Sequence, residues 1–106
     1  MDIVQIEEAV LEAHHALRTV ESEYDHLVRL AECSLPELYS AESERTIDRM
    51  VAATDGLAER MASFLAHRLP DPLRQQVRTI MRRSLDWNEN LHQLRSNRDT
   101  VFEKNE

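Results

Sequence analysis

An apolar residue returns at every seventh position along the first third of the chain, and this repeat constrains the fold more than any other feature. One line of the repeat comprises Ile3, Val10, Leu17, Tyr24 and Ala31, and the other comprises Ile6, Ala13, Val20 and Leu27. Seven-residue spacing places both lines on one face of an α-helix, as in coiled coils. The repeat therefore predicts a helix over residues 3–32 that buries a continuous seam against other helices.

Two further helices follow, and their limits are set by capping residues and prolines. Ser34 and Glu37 form a capping box, which predicts a second helix from residue 35. The Pro-Asp-Pro segment at 70–72 ends this helix by residue 69, because proline lacks a donor and keeps the preceding residue out of helical geometry. The aspartate of that segment then caps a third helix over residues 72–103.

The single glycine of the chain lies inside the predicted second helix. Asp55-Gly56 is a sequence that often forms a turn, which would split the segment into two short helices. However, Met50, Leu57 and Phe64 keep their seven-residue register across this point. The sequence therefore favours one continuous helix over residues 35–69, at a cost of roughly 1 kcal/mol for the glycine.

These patterns predict an all-α fold, with residues 1–106 forming one elongated antiparallel three-helix bundle with coiled-coil-like packing. One glycine and three prolines in 106 residues leave too few turn-forming residues for an all-β fold, and a hydrophobic content of 42% is enough to build a core. Because long heptad helices also dimerise, the sequence leaves monomer and homodimer open. The residues expected in the core are Leu17, Val20, Leu57, Met61, Phe64, Ile80 and Trp87.

Charge is unevenly distributed along a chain whose net charge is -7. Residues 1–46 hold eleven acidic and three basic side chains, whereas residues 47–106 hold nine acidic and ten basic ones. Parallel first and third helices would bring the acidic start of the chain beside the arginines of the third helix, where we expect ion pairs. The two sets are Glu7, Glu8 and Glu12, and Arg74, Arg78 and Arg82. The net acidity argues against nucleic acid as a partner, since phosphate binding needs clustered positive charge.

The sequence has no segment typical of a membrane span or a secretion signal. Its longest uninterrupted apolar run covers only residues 50–53, far short of the roughly 20 residues that cross a bilayer. Cys33 is the only cysteine, so no internal disulfide can form. We therefore expect a cytoplasmic protein that does not insert into a membrane.

Two Glu-x-x-His spacings are the clearest candidates for a chemical site. Glu23 with His26 and Glu89 with His92 match the pairs through which ferritin-like bundles hold metal ions. On the predicted helices Glu23 flanks the buried seam, whereas the other three side chains point toward solvent. A ferritin-like metal-binding bundle is therefore the alternative hypothesis, and we expect a protein that is not an enzyme and has no cofactor, metal or catalytic residue.

The last part of the third helix is the strongest candidate for binding a partner. Its apolar stripe continues almost to the end of the sequence, but Ser84 and Arg98 stand in its second seam, where the other helices have larger apolar residues. A stripe that its own bundle covers incompletely can bind an amphipathic helix, with apolar residues giving affinity and arginines selecting an acidic flank. The predicted partner-binding residues are Leu91, Leu94, Arg95, Arg98, Val101 and Phe102.

Three segments carry a resemblance to a known family. They are Leu17…Glu21…Leu27 in an acidic first helix, Leu35-Pro-Glu-Leu38 continuing through Glu44-Arg45 to Arg60-Met61, and Trp87-Asn88-Glu89-Asn90-Leu91. In these segments the chain resembles the small flagellar type III export chaperones, which hold hook-associated or filament-cap proteins before secretion. The resemblance implies a cytoplasmic, all-helical chaperone whose C-terminal helix binds the helical terminus of an export substrate. Some members present a C-terminal tyrosine to the export gate, whereas this chain has Phe102 in that region.

Overall fold

The computed structural model describes residues 2–33 and 41–104, with side-chain environments for residues 2–29 and 43–96, and the described residues form three α-helices. The helices are α1 (Ile3–Cys33), α2 (Ala41–Leu65) and α3 (Asp71–Lys104). No strand occurs in the described ranges, and the three helices pack along one another within 54 × 19 × 18 Å. The predicted all-α, elongated three-helix bundle is confirmed.

α1 begins with a pair of reciprocal hydrogen bonds at Asp2. The Ile6 N–H donates to the Asp2 carbonyl oxygen over 3.1 Å, so Asp2 occupies the capping position. In return, the Asp2 N–H donates to the Gln5 side-chain oxygen Oε1 over 3.2 Å, which is the reverse bond of a capping box. The first helix thus lies within one residue of its predicted limits.

α2 ends at Leu65, four residues before its predicted end. After Leu65 the chain tightens into a turn in which the His67 N–H donates to the Phe64 carbonyl oxygen over 3.0 Å. Pro70 disfavours helical geometry at Leu69, and the Leu69 side chain, 7% exposed, is buried in the core. The helix therefore ends early, and Leu69 is buried from the connection rather than from the helix, which the helical period does not predict.

α3 begins one residue earlier than predicted, because Pro70 rather than Asp71 takes the capping position. The Arg74 N–H donates to the Pro70 carbonyl oxygen over 2.9 Å, which is the first hydrogen bond of the helix. Asp71 instead lies in the first turn, where its carboxylate interacts favourably with the helix dipole. Pro72 follows it in the same turn, where the N–H groups have no partner within the helix and the missing donor costs nothing.

The interior of α2 is continuous, as the register across its glycine predicted. Gly56 is exposed and does not adopt a positive φ, so its backbone conformation is one that any residue can take. The predicted start of this helix at residue 35, with its capping box at Ser34 and Glu37, lies outside the described residues. The described part of α2 begins at Ala41.

Contacts between side chains fix the directions of the helices. α2 runs antiparallel to both of its neighbours, because residue numbers fall along α2 as they rise along α1 or α3. The contacts that show this are Glu12 with Arg60 and Glu23 with Arg49 between α1 and α2, and Asp48 with Arg95 and Asp55 with Asn88 between α2 and α3. α1 and α3 are parallel, since Glu21 pairs with Arg83 at 3.9 Å and the Tyr24 and Trp87 rings meet edge to face at 5.0 Å.

The core consists of two apolar clusters along the bundle axis, and Trp87 packs against both. Five of the seven predicted core residues are at most 3% exposed: Leu17, Val20, Met61, Phe64 and Ile80. The other two, Leu57 and Trp87, are partly buried and pack against the clusters. The seven-residue spacing could not reveal this difference, because residues at the centre and at the edge of a seam repeat with the same period.

Candidate functional site

The two predicted partner-binding leucines of α3 belong to the core to different degrees. Leu91 is 0% exposed and lies inside the second apolar cluster, together with Leu27 and Met50. Leu94, one turn further along, is half-buried and packs against the same cluster from its edge. The structure therefore places Leu91 in the bundle interior rather than on an open surface, and Leu94 marks the point where coverage of α3 becomes incomplete.

The remaining predicted partner-binding residues lie near the end of α3. Arg95 donates through Nη2 to a carboxylate oxygen of Asp48, which ties α3 to α2. The side chains of Arg98, Val101 and Phe102 lie outside the described residues, although the α3 backbone is helical as far as Lys104. The predicted surface thus begins at an ion pair and continues along a helical segment.

Measured by its contacts with α1, α3 continues past Cys33, the last described residue of α1. The residues in contact between these parallel helices differ in number by 62 or 63, so the last residue of α1, Cys33, lies level with residues 95–96 of α3. The remaining eight residues, 97–104, form the α3 overhang and add about 12 Å at 1.5 Å per residue. In each of the contacts between α2 and α3 given above, the two residue numbers add to 143, because the helices are antiparallel. This relation places residues 41–46 of α2 beside this overhang. The contacts of α1 with α2 place residues 26–31 of α1 beside the same part of α2.

A polar group lies between α2 and α3 in the middle of the bundle. Asn88 donates through Nδ2 to the Thr54 hydroxyl and to an Asp55 carboxylate oxygen, both over 2.9 Å. Thr54 and Ser84 are fully buried, and each hydroxyl donates to a backbone carbonyl in the preceding turn of its own helix. Because each hydroxyl donates to a backbone carbonyl of its own helix, these groups favour one register of α2 against α3 rather than a reaction.

The two Glu-x-x-His spacings do not form a shared site. Glu23 is half-buried and pairs with Arg49 at 3.1 Å, so its carboxylate already has a cationic partner. His26, Glu89 and His92 are all exposed. No group of three or more potential metal ligands occurs among the residues that the structure describes. The arrangement therefore offers nothing that favours the alternative hypothesis of a ferritin-like metal site.

The ion pairs expected between the acidic start of α1 and the arginines of α3 do not form. Glu12 pairs with Arg60 of α2 at 3.8 Å instead. Three of the arginines of α3 form what we name the basic stripe: Arg74, Arg78 and Arg82. In the described part of the chain, no carboxylate lies within 4.0 Å of their guanidinium nitrogens. The prediction was wrong because α1 and α3 begin at the same end of the bundle, but these glutamates and arginines lie on faces of the two helices that are not in contact.

A shallow groove of about 450 Å³ lies between the start of α1 and the connection from α2 to α3. Its walls are mainly apolar, and Leu11 at its edge is 62% exposed. The groove is lined by Glu7, Val10, Leu11, His14, Pro70, Pro72, Leu73 and Gln76. With Glu7 and His14 as its only titratable groups, the groove suits apolar contact better than acid–base chemistry.

Comparisons with known proteins add no relative. No protein-family model, no curated protein and no solved structure matches this chain. Across residues 2–33 and 41–104, no helix combines the length and the apolar content needed to cross a membrane. The surfaces of the bundle itself are what bears on function.

Proposed function

We propose that this protein is a non-enzymatic helical adaptor that binds an amphipathic helix of a partner protein through the C-terminal part of α3. The observation that carries the proposal is the decreasing coverage of α3 toward its end, where Leu91 is fully buried and Leu94 only half-buried. A partner helix packed beside the overhang would cover the apolar stripe that continues through it.

The apolar pattern of α3 supports this location for the partner. Leu91 is buried by the bundle and Leu94 is half-buried, so coverage decreases toward the end of the helix. Val101 and Phe102 continue the same sequence pattern into the overhang. A partner helix placed here would extend the core of the bundle, and apolar residues near the centre of such a contact supply most of its affinity.

Charge gives the partner a second property. Arg95 already pairs with Asp48, which leaves Arg98 as the arginine that would select an acidic flank on the partner. Such a pair at the rim of an interface mainly affects association rate and specificity. The preferred partner is therefore an amphipathic helix with an acidic residue beside its apolar stripe.

The partner that best fits the sequence resemblance is the helical terminus of a secreted protein. The export chaperones that this chain resembles are acidic and all-helical, and they bind their clients through the C-terminal helix. A net charge of -7 and an all-α bundle agree with that description. We therefore propose a cytoplasmic flagellar or type III export chaperone as the specific form of the adaptor.

Affinity capture from the native organism tests this proposal. The baits are the wild-type chain and a V101D/F102D variant, and the captured proteins are identified by mass spectrometry. We expect the wild type to capture a secreted filament or hook-associated protein, and the variant to lose it. A52D/A53D is the matched control, because Ala52 and Ala53 are exposed on α2, away from the overhang.

Circular dichroism of each bait establishes that the helical fold is retained. If the overhang variant and the wild type capture the same proteins equally, the α3 overhang is not the binding surface. If a specific partner is lost by the variant but is not a secreted protein, the adaptor role stands and the export-chaperone role is wrong.

A further inference from the structure

An exposed patch on α3 combines positive charge with uncovered apolar surface. It comprises Arg78, Met81, Arg82 and Leu85, and we name it the basic patch. Leu85 is 54% exposed and Met81 is half-buried. Residues 78, 81, 85 and 88 follow at steps of three and four, so they share one side of the helix. Because Asn88 contacts Asp55 of α2, this side borders α2.

A second patch, on the first turns of α1, has the opposite charge. It comprises Val4, Glu7, Glu8 and Leu11, and we name it the acidic patch. Val4 is 57% and Leu11 is 62% exposed. Neither Glu7 nor Glu8 has an ion-pair partner within the described part of the chain. The patch is therefore an acidic amphipathic helix face that the bundle leaves uncovered.

The two patches match each other in size and chemistry. Each spans eight residues, or about 10 Å of helix, and each carries two charges of one sign within a turn of its apolar residues. The exposed large apolar side chains of the described ranges are Ile3, Val4, Leu11 and Leu85. Three of these lie on or next to the acidic patch, and the fourth lies on the basic patch. The exposed apolar side chains are therefore found on the same two surfaces as the complementary charges.

The patches do not meet within one molecule. By the numbering offset between α1 and α3, Glu8 lies level with residues 70–71. This position is seven or eight residues before Arg78, or about 11 Å along the bundle axis. The basic patch also borders α2, whereas the acidic patch lies on α1 beside the groove at the α2–α3 connection. None of these four charges has an ion-pair partner within the described part of the molecule, which leaves them available to a second copy.

We propose that the protein self-associates, with the acidic patch of one copy covering the basic patch of a second copy. The contact buries apolar side chains from both helices and brings the two glutamates within reach of the two arginines. Because the two patches are different surfaces, the contact is heterologous, and a pair of copies retains one free patch of each sign. The contact can therefore repeat from copy to copy, and its charge component weakens as salt is added.

Sedimentation equilibrium of charge-reversed proteins tests the proposal. One variant reverses the basic patch, R78E/R82E, and another reverses the acidic patch, E7R/E8R. At low ionic strength we expect the wild-type mass to rise with concentration from 12.4 kDa toward twice that value or more. Each variant alone should remain at 12.4 kDa, because both of its patches then have the same sign. An equimolar mixture of the two variants should recover the wild-type association, since each patch again meets its opposite.

The control for R78E/R82E is R29E/R68E, which makes the same change in net charge at two exposed arginines outside both patches. It should associate as the wild type does, and salt of about 0.5 M should reduce association of both. A wild type that stays at 12.4 kDa up to millimolar concentration would overturn the proposal. So would reversed variants that associate like the wild type, or a mixture of folded variants that does not associate.

Self-association through these patches is independent of partner binding at the α3 overhang. The patches lie in the first turns of α1 and between residues 78 and 85 of α3, whereas the overhang begins at residue 97. The capture experiment changes only overhang residues in its test variant, and sedimentation changes only the two patches. Failure of either proposal therefore leaves the other unaffected.

Discussion

Replacement of Leu91 by alanine distinguishes a core residue from a partner-binding residue. The sequence places Leu91 on the predicted partner-binding surface, whereas the structure places it at 0% exposure within the second apolar cluster. A residue that served only a partner would leave the stability of the free protein nearly unchanged when truncated. A core residue would destabilise the free protein strongly, because its contacts are made within the bundle.

The expected magnitude follows from full burial. Truncation of leucine to alanine removes about three methylene equivalents, each contributing about 0.8 kcal/mol when buried, or about 2.4 kcal/mol. The cavity left by incomplete relaxation adds a further cost, and buried leucine truncations in general cost about 2 to 5 kcal/mol. We expect L91A to reduce the free energy of unfolding by about 3 to 4 kcal/mol.

Urea unfolding followed by circular dichroism measures this difference. With a denaturant slope of about 1.3 kcal/mol per molar for a small domain, the midpoint should fall by about 2 to 3 M. L57A and L85A complete the series, because Leu57 is half-buried and Leu85 is 54% exposed. We expect about 1 to 2 kcal/mol for L57A and less than about 0.5 kcal/mol for L85A.

The order of the three costs is the decisive result. If L91A costs less than about 1 kcal/mol, or less than L57A, the second apolar cluster is misplaced and Leu91 is available to a partner. A change in denaturant slope with L91A alone would indicate that truncation altered the compactness of one state, rather than removing packing energy.

Three further perturbations test other features of the bundle. G56A should raise the free energy of unfolding by about 0.5 to 1 kcal/mol, since Gly56 is exposed within a helix and a Cβ there meets nothing within 4 Å; a lower thermal midpoint would contradict a continuous α2. N88A should cost about 1 to 2 kcal/mol through loss of its hydrogen bonds to Thr54 and Asp55; a double-mutant cycle with T54V that shows no coupling would exclude the Asn88–Thr54 bond. Reversal of the whole basic stripe to glutamate should change stability by less than about 0.5 kcal/mol at low salt, and a larger loss that salt relieves would show that these arginines are paired within the bundle.

The sequence by itself determined which segments are helical and which residues share their apolar faces. The seven-residue repeat predicted α1 to within one residue and kept α2 continuous through Gly56. These features are encoded locally, because helical periodicity and proline geometry depend on neighbouring residues. The class of fold followed, since three amphipathic helices with short connections bury their stripes most simply in a bundle.

Tertiary structure decided how each face is used. Leu91 and Leu57 both lie on seven-residue repeats, yet one is fully buried and the other is not. The basic stripe lies at the same end of the bundle as the acidic start of α1, but on a face that these carboxylates do not reach. Both outcomes depend on the axial offset and rotation of one helix against another, which arise from packing of all three helices at once. The sequence contains the periods of the faces, and only their packing sets which residues meet.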